Sequence, residues 1–350
     1  MTDKGMVTIS RMGVGHTAHP TKPQPLPHPI NLYPEQPNRY SIMSLSDTAA
    51  DIRSMKIRGA GKIAREAAAA LRSFALENAN LPFDSFKTAM KDAADTLLAT
   101  RPTAVSLPNA VRITLRGLGS AASTADAVED IRRRADAFIG KAEAALDIIG
   151  EITASRIKDG DTVLTHCNSK AALAGILRAK EQGKDIRVIA TEVRPWNQGL
   201  LTIKTLNDHK IPTTYIVDSA VRYFMPEADL VIVGADAVTV NGAVINKIGT
   251  SQIAAAAHEA RKNFIVAAET FKFAPQTMGG TRIEIEERPA SEVLSDEAAA
   301  ALPYVTVRNP VFDVTPAEYI DLIATEEGAI PPQLAYIIMK EHLGWEAKEL

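Results

Sequence analysis

Residues 162–178 read TVLTHCNSKAALAGILR, a short apolar run that turns polar at its end and passes directly into a segment with helical spacing. The same pattern recurs along the second half of the chain. The apolar runs are TVLTHCN (162–168), IRVIATEV (186–193), TTYIVD (213–218), LVIVGAD (230–236), FIVAAE (264–269) and YVTVRN (304–309). Strands that alternate with helices form a parallel sheet covered by helices on both faces. The sequence therefore predicts an α/β fold for this region, with helical structure again from Pro316 onward.

The segment before this region has a helical pattern. From Ser46 to about residue 156 the chain is rich in alanine, and apolar residues recur at steps of three and four. These residues include Ile131, Phe138, Ala142, Ala145, Ile149 and Ile152. Pro102 and Pro108 predict a loop between two helices, because proline ends a helix at or before the preceding residue. We expect a helical N-terminal domain over residues 46–156 and a sheet-containing C-terminal domain over residues 157–350.

The first 45 residues are rich in proline, which opposes both helix hydrogen bonding and sheet pairing. We expect a flexible Pro-rich extension over residues 1–45, and Met43 is a candidate for the natural start of the chain. His16 and His19 lie three residues apart, but no helix aligns them. They therefore do not predict a metal site.

Composition narrows the class of function. The 350 residues include 39 Lys and Arg against 42 Asp and Glu, a net charge of -3 that argues against a nucleic-acid or membrane-surface protein. No apolar run approaches the roughly 18 residues of a membrane span, and the N-terminus lacks a secretory pattern, so we expect a cytoplasmic protein. Cys167 is the single cysteine, which excludes an internal disulfide. Small molecules and sister subunits are the expected partners.

Open parallel sheets bind ligands beyond the carboxyl ends of their strands, so the polar residues that end the runs are site candidates. They are Cys167, Glu192, Asp218, Asp236 and Glu269. Asn168 or Ser169 can cap the helix that follows Cys167. A thiol beside a helix N-terminus is favoured as thiolate, and the same N–H groups with Lys170 can hold a phosphate. The alternative is that Cys167 is a small buried hydrophobe.

Asp236 is the second candidate for proton transfer. It follows the run LVIVGA, which is apolar enough to be a central strand. A carboxyl group between apolar walls has a raised pKa and can give or take a proton. The alternative is that Asp236 caps a following helix, a common role for Asp after a strand.

Several further groups could bind an anion. They are Arg58, Gly59, Ala60, Gly61, Arg101, Asn246, Lys247 and Lys272, with Arg194 and Gln198 as wall residues. In NGAVINKIGTSQIA (241–254), a tight turn at Asn241–Gly242 precedes an amide, an ammonium and a Gly-Thr-Ser helix start, which together predict an oxyanion or phosphate cradle. Each charged group has a solvated surface role as its alternative. Neither a P-loop nor a dinucleotide motif is present, so ATP and dinucleotides are not predicted.

Taken in order, these blocks resemble one family over roughly residues 50–345. The blocks are RGAG, RPT, TEVRP with a following QG, GAD, NG followed by NKIGT, and ETFKFAP. The family unites archaeal ribose-1,5-bisphosphate isomerase, methylthioribose-1-phosphate isomerase and the regulatory subunits of the guanine-nucleotide exchange factor for eukaryotic translation initiation factor two. The resemblance implies a helical N-terminal domain on a Rossmann-like parallel-sheet C-terminal domain. It also implies dimers, and trimers of dimers (hexamers) for the archaeal bisphosphate isomerases.

Within the family, CNSKAA at residues 167–172 resembles the bisphosphate isomerase form, where Lys170 would serve an extra phosphate. The implied reaction converts α-D-ribose 1,5-bisphosphate to ribulose 1,5-bisphosphate in archaeal AMP degradation. No metal or redox cofactor is expected, and activation by AMP is implied. Two alternatives stay open: a methylthioribose-1-phosphate isomerase, and a non-catalytic regulatory subunit that binds a sugar phosphate or nucleotide.

The roles expected under this resemblance are specific. Asp236, kept protonated, protonates the ring oxygen while a Cys167 thiolate removes the proton at C2, which yields a cis-phosphoenolate. The phosphates and hydroxyls are expected at the anion-binding groups named above, with Asn168, Ser169 and Lys170. Because one set lies in the helical domain, we expect the domains to close on the substrate.

Overall fold

The computed structural model describes residues 43–341 and residue 343. The prediction of a flexible extension over residues 1–45 falls outside this range except for its last three residues, and His16 and His19 lie outside it as well. The first helices are α1 (Leu45–Arg53), α2 (Ala60–Glu77), α3 (Phe83–Leu98), α4 (Ser106–Leu115) and α5 (Thr124–Ala154). None of the helices within the described residues is long and apolar enough to cross a membrane.

The loop between α3 and α4 is shorter than predicted. Pro102 lies in this loop, but Pro108 lies in the first turn of α4. The first-turn N–H groups of a helix have no partner within the helix, so a proline there loses no hydrogen bond. The predicted loop end at Pro108 is therefore wrong.

Helix α5 is the longest helix among the described residues, with 31 residues. Ser123 caps its start by accepting a hydrogen bond from the N–H of Asp126. Ile131 packs in the core formed by α1 to α4, whereas Ile149 packs in the core under the sheet. Between them, the ring of Phe138 lies 5.5 Å from that of Phe271, which follows a sheet strand. One helix therefore contributes to both cores.

The second half of the chain builds the sheet layer. Its strands are β1 (Thr162–Thr165), β2 (Arg187–Thr191), β3 (Thr213–Ile216), β4 (Leu230–Gly234), β5 (Ala237–Val238), β6 (Val244–Lys247), β7 (Asn263–Ala267), β8 (Phe312–Thr315), β9 (Leu322–Thr325) and β10 (Gly328–Ile330). Its helices are α6 (Lys170–Glu181), α7 (Gly199–Asp208), α8 (Val221–Phe224), α9 (Thr250–Glu259), α10 (Asp296–Ala300) and α11 (Ala335–Glu341).

Seven strands form the main sheet in the order β10-β9-β7-β4-β1-β2-β3. Every neighbouring pair is parallel except β9 with β10. The predicted α/β architecture, a helical N-terminal part on a parallel-dominated sheet, is confirmed. Strands β1, β2 and β3 are added in one direction across the sheet. The chain then returns past β2 and β1 and places β4 on the other side of β1, so the strand order reverses between β1 and β4. Ligand sites of open α/β sheets lie at such a reversal.

Two predictions for the C-terminal region are wrong. Residues 304–309 form no strand; they lie in a loop in which Tyr304 is fully exposed and Asn309 is buried. The region after Pro316, expected to be helical, instead supplies β9 and β10 before α11 begins at Ala335. The short run LIAT at 322–325 pairs with β7 and turns back at Gly328, whose φ of 123° suits glycine. The strand conformation of residues 322–325 depends on pairing with β7, which is distant in the sequence, and the local spacing of apolar residues does not predict that pairing.

A small antiparallel sheet of order β5-β6-β8 was not predicted. The turn expected at Asn241–Gly242 joins β5 to β6, and Gly242 has a φ of 79° with its N–H bonded to Thr239. Strand β8 then pairs with β6 from Phe312 to Thr315. This small sheet begins three residues after β4 ends, so it stands beside the carboxyl edge of the main sheet.

Candidate active site

Cys167 lies just after β1 at the carboxyl edge of the main sheet. Its φ is 66°, a backbone conformation that residues other than glycine adopt uncommonly and that often marks functional sites. The Thr202 hydroxyl holds this backbone by donating to the Cys167 carbonyl at 2.6 Å. The sulfur lies 3.9 Å from Oε1 of Gln198, a distance that allows a weak S–H hydrogen bond. The thiol therefore points toward the loop that precedes α7.

The protonation state of Cys167 differs from the expectation. Burial raises the pKa of the thiol to about 11, although Lys247 and the N–H of Asn168 oppose the increase. Ser169 caps α6 by accepting from the N–H of Ala172, as expected for a cap. Burial thus acts on the pKa of the thiol in the opposite direction to the helix start.

Asp236 follows β4, the central strand of the main sheet. Burial raises its pKa above the ordinary aspartate value; Lys272, Lys247 and Arg101 oppose this increase. The raised pKa agrees with the expectation of a protonated carboxyl group. No helix follows Asp236, because β5 begins at the next residue, so the alternative role as a helix cap is wrong.

The predicted cradle at Asn246, Lys247 and Gly249 is only partly present. Helix α9 begins after Gly249, but Asp313 of β8 already accepts from the N–H groups of Gly249 and Ser251, at 2.8 and 3.1 Å. The helix start is therefore occupied by a side chain of the protein, and it is not an open phosphate cradle. The buried Asn246 amide donates to the hydroxyl of Thr250. Of the three residues, only Lys247 lines the adjoining cleft.

This shallow cleft adjoins Cys167 through Gln198. Its lining residues are Arg194, Pro195, Trp196, Gln198, Lys247, Ile248, Arg288, Glu292, Asn309, Pro310 and Val311. Arg194 and Gln198, expected as wall residues of the site, both line this cleft. Asp218 holds the same loop, because its carboxylate accepts from the N–H groups of Val193 and Arg194. Asp218 thus positions the wall of the cleft.

Lys272 and Glu269 form a buried ion pair, with Nζ and Oε2 2.7 Å apart. Lys272 also acts on the carboxyl group of Asp236, as noted above. The N-terminal turn of α2 packs against this pair, since a Cβ on Gly61 would lie 3.2 Å from Oε1 of Glu269. The RGAG block of the helical part therefore reaches the edge of the main sheet.

Arg101 reaches the site from the helical part as well. Its guanidinium donates to Oε2 of Glu286 at 2.9 Å and is close enough to Asp236 to lower that group's pKa. The Arg58 side chain is exposed, and within residues 43–341 no hydrogen bond or ion pair joins it to the site. Gly59, with a φ of 87°, begins α2 without a side-chain cap.

Asn168, Ser169 and Lys170 lie at the start of α6. Asn168 and Lys170 are exposed, and Asn168 Oδ1 accepts from Thr202 at 3.2 Å. Ser169 packs on Gly234 at the end of β4, where an added Cβ would lie 2.2 Å from the Ser169 oxygen. Glycine at 234 is therefore required by this close approach. His166 is buried, and its two ring nitrogens are hydrogen-bonded to the Thr191 hydroxyl and the Ile248 carbonyl.

Four residues of the site went unrecognised in the sequence. They are Trp196, Glu286, Arg288 and Asp313. The segment RIEIEER at 282–288 does alternate apolar and charged residues, which is the signal of an extended segment with one charged face. Within the described residues, no three His, Cys, Asp or Glu side chains form a group that could hold a metal ion.

The comparisons with known proteins agree with this arrangement. A ribose 1,5-bisphosphate isomerase of Methanocaldococcus jannaschii is 52% identical over 304 residues, which cover 87% of this chain and 97% of the relative. A methylthioribose-1-phosphate isomerase of Geobacter metallireducens is 39% identical over 293 residues, covering 80% of this chain and 85% of the relative.

A solved structure shares the fold. The translation initiation factor eIF-2B of Pyrococcus horikoshii OT3 superposes with a TM-score of 0.69 at 31% identity, covering 82% of this chain and 97% of that chain. The sequence model of the Initiation factor 2 subunit family matches residues 56–332. The chain therefore belongs to the Initiation factor 2 subunit family.

Proposed function

We propose that this protein is an intramolecular aldose-ketose isomerase that converts α-D-ribose 1,5-bisphosphate to ribulose 1,5-bisphosphate. The observation that carries the proposal is the pairing of Cys167 and Asp236, two proton carriers at neighbouring strand ends, each with a raised pKa. The name and 52% identity of the Methanocaldococcus jannaschii relative support the choice of substrate.

The chemistry of this substrate explains the need for a carboxylic acid. A sugar whose anomeric oxygen carries a phosphate cannot open spontaneously to an aldehyde, so the ring C1–O bond must break with help from an acid. Asp236, kept protonated by burial, gives its proton to the ring oxygen. Cys167 removes the proton at C2, and that electron pair forms the C1–C2 double bond of a cis-phosphoenolate. Asp236 then takes the proton of the C2 hydroxyl while Cys167 returns a proton to C1.

Cys167 must lose its own proton before it attacks C2. Burial lowers the pKa of Lys247, and the nearby Cys167 favours its charged form. The ammonium of Lys247, whose charge favours the thiolate, would stabilise the thiolate once the thiol proton has left to solvent. No metal or redox cofactor takes part in these steps.

Groups from both parts of the chain would hold the two phosphates. Gly59–Gly61 and Arg101 come from the helical part, and Ser169, Lys170, Lys247 and Lys272 come from the sheet part. We propose that substrate draws these groups together and excludes water from the enolate. Matching small-angle scattering profiles with and without substrate would argue against closure.

The remaining expectations are part of the same proposal. The protein would act in the cytoplasm, where a reactive thiol stays reduced, and would assemble as dimers grouped in a hexamer. Activation by AMP stays a prediction. Sedimentation of the full chain with and without AMP, beside the activity assay, tests both.

An isomerase assay on the full chain decides among the candidate functions. Ribose 1,5-bisphosphate and methylthioribose 1-phosphate are supplied at equal concentration, and ketose formation is followed. Turnover of the bisphosphate alone supports the proposal. Turnover of the thiomethyl sugar identifies the alternative isomerase, and turnover of neither, with or without AMP, favours a regulatory binding role.

A further inference from the structure

One carboxylate, that of Glu286, bridges the guanidinium groups of Arg101 and Arg288, and Arg288 lines the cleft. Oε2 of Glu286 accepts from Arg101 at 2.9 Å, and Oε1 lies 3.5 Å from Nε of Arg288. The side chains of Arg101, Arg288 and Glu286 are only 15%, 13% and 25% exposed. Arg101 belongs to the helical part and Arg288 to the segment that flanks the small sheet. An anion of the protein itself therefore occupies the space between two cations from different parts of the chain.

The backbone fixes this arrangement. The segment 286–288 is extended and pairs with residues 309–311, since Arg288 N–H donates to Asn309 and Val311 N–H donates to Glu286. Residues two apart on an extended segment face the same side. Glu286 and Arg288 thus lie on one side of the segment, with Arg288 lining the cleft, whereas Glu287 faces solvent and pairs with exposed Arg308.

Arg288 is held ready for a ligand. Its guanidinium lies over the ring of Trp196 at 4.7 Å, a cation–π contact that leaves the in-plane N–H donors available for an anion. Three cations, Arg194, Lys247 and Arg288, line the cleft, but Glu292 is the only carboxylate among the lining residues, and it accepts from Asn309. The lining is therefore richer in positive than in negative charge.

We propose that Arg288 is a further phosphate-binding residue and that Glu286 is a placeholder carboxylate, which a substrate phosphate displaces from between Arg101 and Arg288. Each guanidinium presents two parallel N–H donors, which can bind the oxygens of a phosphate as well as those of a carboxylate. A phosphate dianion carries about twice the charge of a carboxylate near neutral pH and has one more oxygen to share, so it competes effectively for the two forks. This inference rests on the proposed function for the identity of the ligand, but the site can be tested with phosphate alone.

The placeholder also keeps the empty site from carrying uncompensated cations. When one partner of a buried charge pair is removed, the other charge stays buried without a counter-charge, and its desolvation is no longer compensated. Glu286 prevents this penalty for Arg101 and Arg288 in the absence of substrate. Glu286 also competes with the ligand, because phosphate can bind the two guanidinium groups only after the carboxylate has left them.

The test is isothermal titration of the full chain with inorganic phosphate. We expect Arg288→Met to raise the dissociation constant about tenfold or more, and Glu286→Gln to lower it about threefold or more, since a neutral amide competes poorly with phosphate. Arg308→Met and Glu287→Gln are the matched controls, because that pair faces solvent, and both are expected to bind phosphate as the parent does.

Equal weakening in Glu286→Gln and Arg288→Met would overturn the placeholder role and make Glu286 a structural support. Unchanged affinity in both would remove the segment from the phosphate site. Thermal melting of each variant identifies any loss of folding, and in that event Arg288→Lys and Glu286→Asp replace the first pair. Phosphate titration needs no turnover, so an inactive parent protein would contradict the proposed function without deciding this inference.

Discussion

The carboxyl edge of the main sheet and the flanking segment 286–313 meet at the same cleft but differ in the kind of group they supply. The edge supplies Cys167 and Asp236, whose pKa values are both raised by burial. The flanking segment supplies Glu286, Arg288 and Asp313, whose charges are already engaged within the protein. Proton transfer and binding of an anion at Arg288 therefore depend on different residues, and mutations should separate the two.

The largest effect is expected at the proton carriers. Cys167→Ser and Asp236→Asn should each reduce turnover of ribose 1,5-bisphosphate by about 100-fold or more, because a proton-transfer group is lost. Phosphate affinity should change little, since neither residue is among the groups proposed to hold a phosphate. Parallel measurement of kcat and of phosphate binding checks this separation. A variant with normal turnover would exclude that residue from the mechanism.

The pH dependence of Cys167 alkylation should show a nearly as large effect. A thiol with a pKa of about 11 stays protonated at neutral pH, so its thiolate fraction rises about tenfold per pH unit through the alkaline range. The rate of reaction with iodoacetamide should therefore still be rising between about pH 9 and pH 10, where an ordinary thiol levels off.

Lys247→Met should lower this alkylation rate further at each pH, because Lys247 opposes the raised pKa of the thiol. Lys204→Met is the matched control, since Lys204 is exposed and pairs with Asp208 on the surface. A rate that levels off near neutral pH would contradict the raised pKa of Cys167.

A smaller effect is expected at Lys170, which lies at the start of α6. Lys170→Met should weaken affinity for the bisphosphate about tenfold and should spare a monophosphate sugar, because the lysine is expected to serve the additional phosphate. Competition assays with the two sugars measure the contrast, and Lys210→Met on the surface serves as the control. Equal losses for both sugars would argue against this role.

The smallest effect concerns stability alone. Asp313→Ala removes the carboxylate that caps α9, which should lower the free energy of unfolding by about 1–2 kcal/mol. Asp208→Ala, at the exposed end of α7, should have a much smaller effect. Urea denaturation of both variants measures the difference. No change in Asp313→Ala would show that α9 does not depend on this cap.

The sequence alone predicted those strands whose apolar residues follow one another in the chain. Strands β1, β4 and β7 are continuous apolar runs, so their ends at Cys167, Asp236 and Glu269 could be placed without the structure. Parallel topology then required that these ends share one edge. Arg101 was a weak signal by itself, and only the structure places it against Asp236.

The rest depends on contacts between residues far apart in the chain. Strand β8 pairs with β6 across more than sixty residues, and Asp313 reaches α9 from it. No local period encodes such pairings. The raised pKa of Cys167 could not be predicted for the same reason. The sequence shows the helix start beside the thiol, but it does not show which distant residues surround the sulfur.

Helix α5 couples the unfolding of the helical part to that of the sheet part. Its 31 residues span roughly 46 Å, and its apolar face is divided between the helical core at Ile131 and the sheet core at Ile149. At Gly175 of α6, an added Cβ would lie 2.4 Å from Thr153 of α5, so these helices meet without space for a larger residue. A cut after residue 156 would leave either fragment with an open apolar surface. We therefore expect the two parts to unfold in one cooperative transition, and neither to serve as an independent expression fragment.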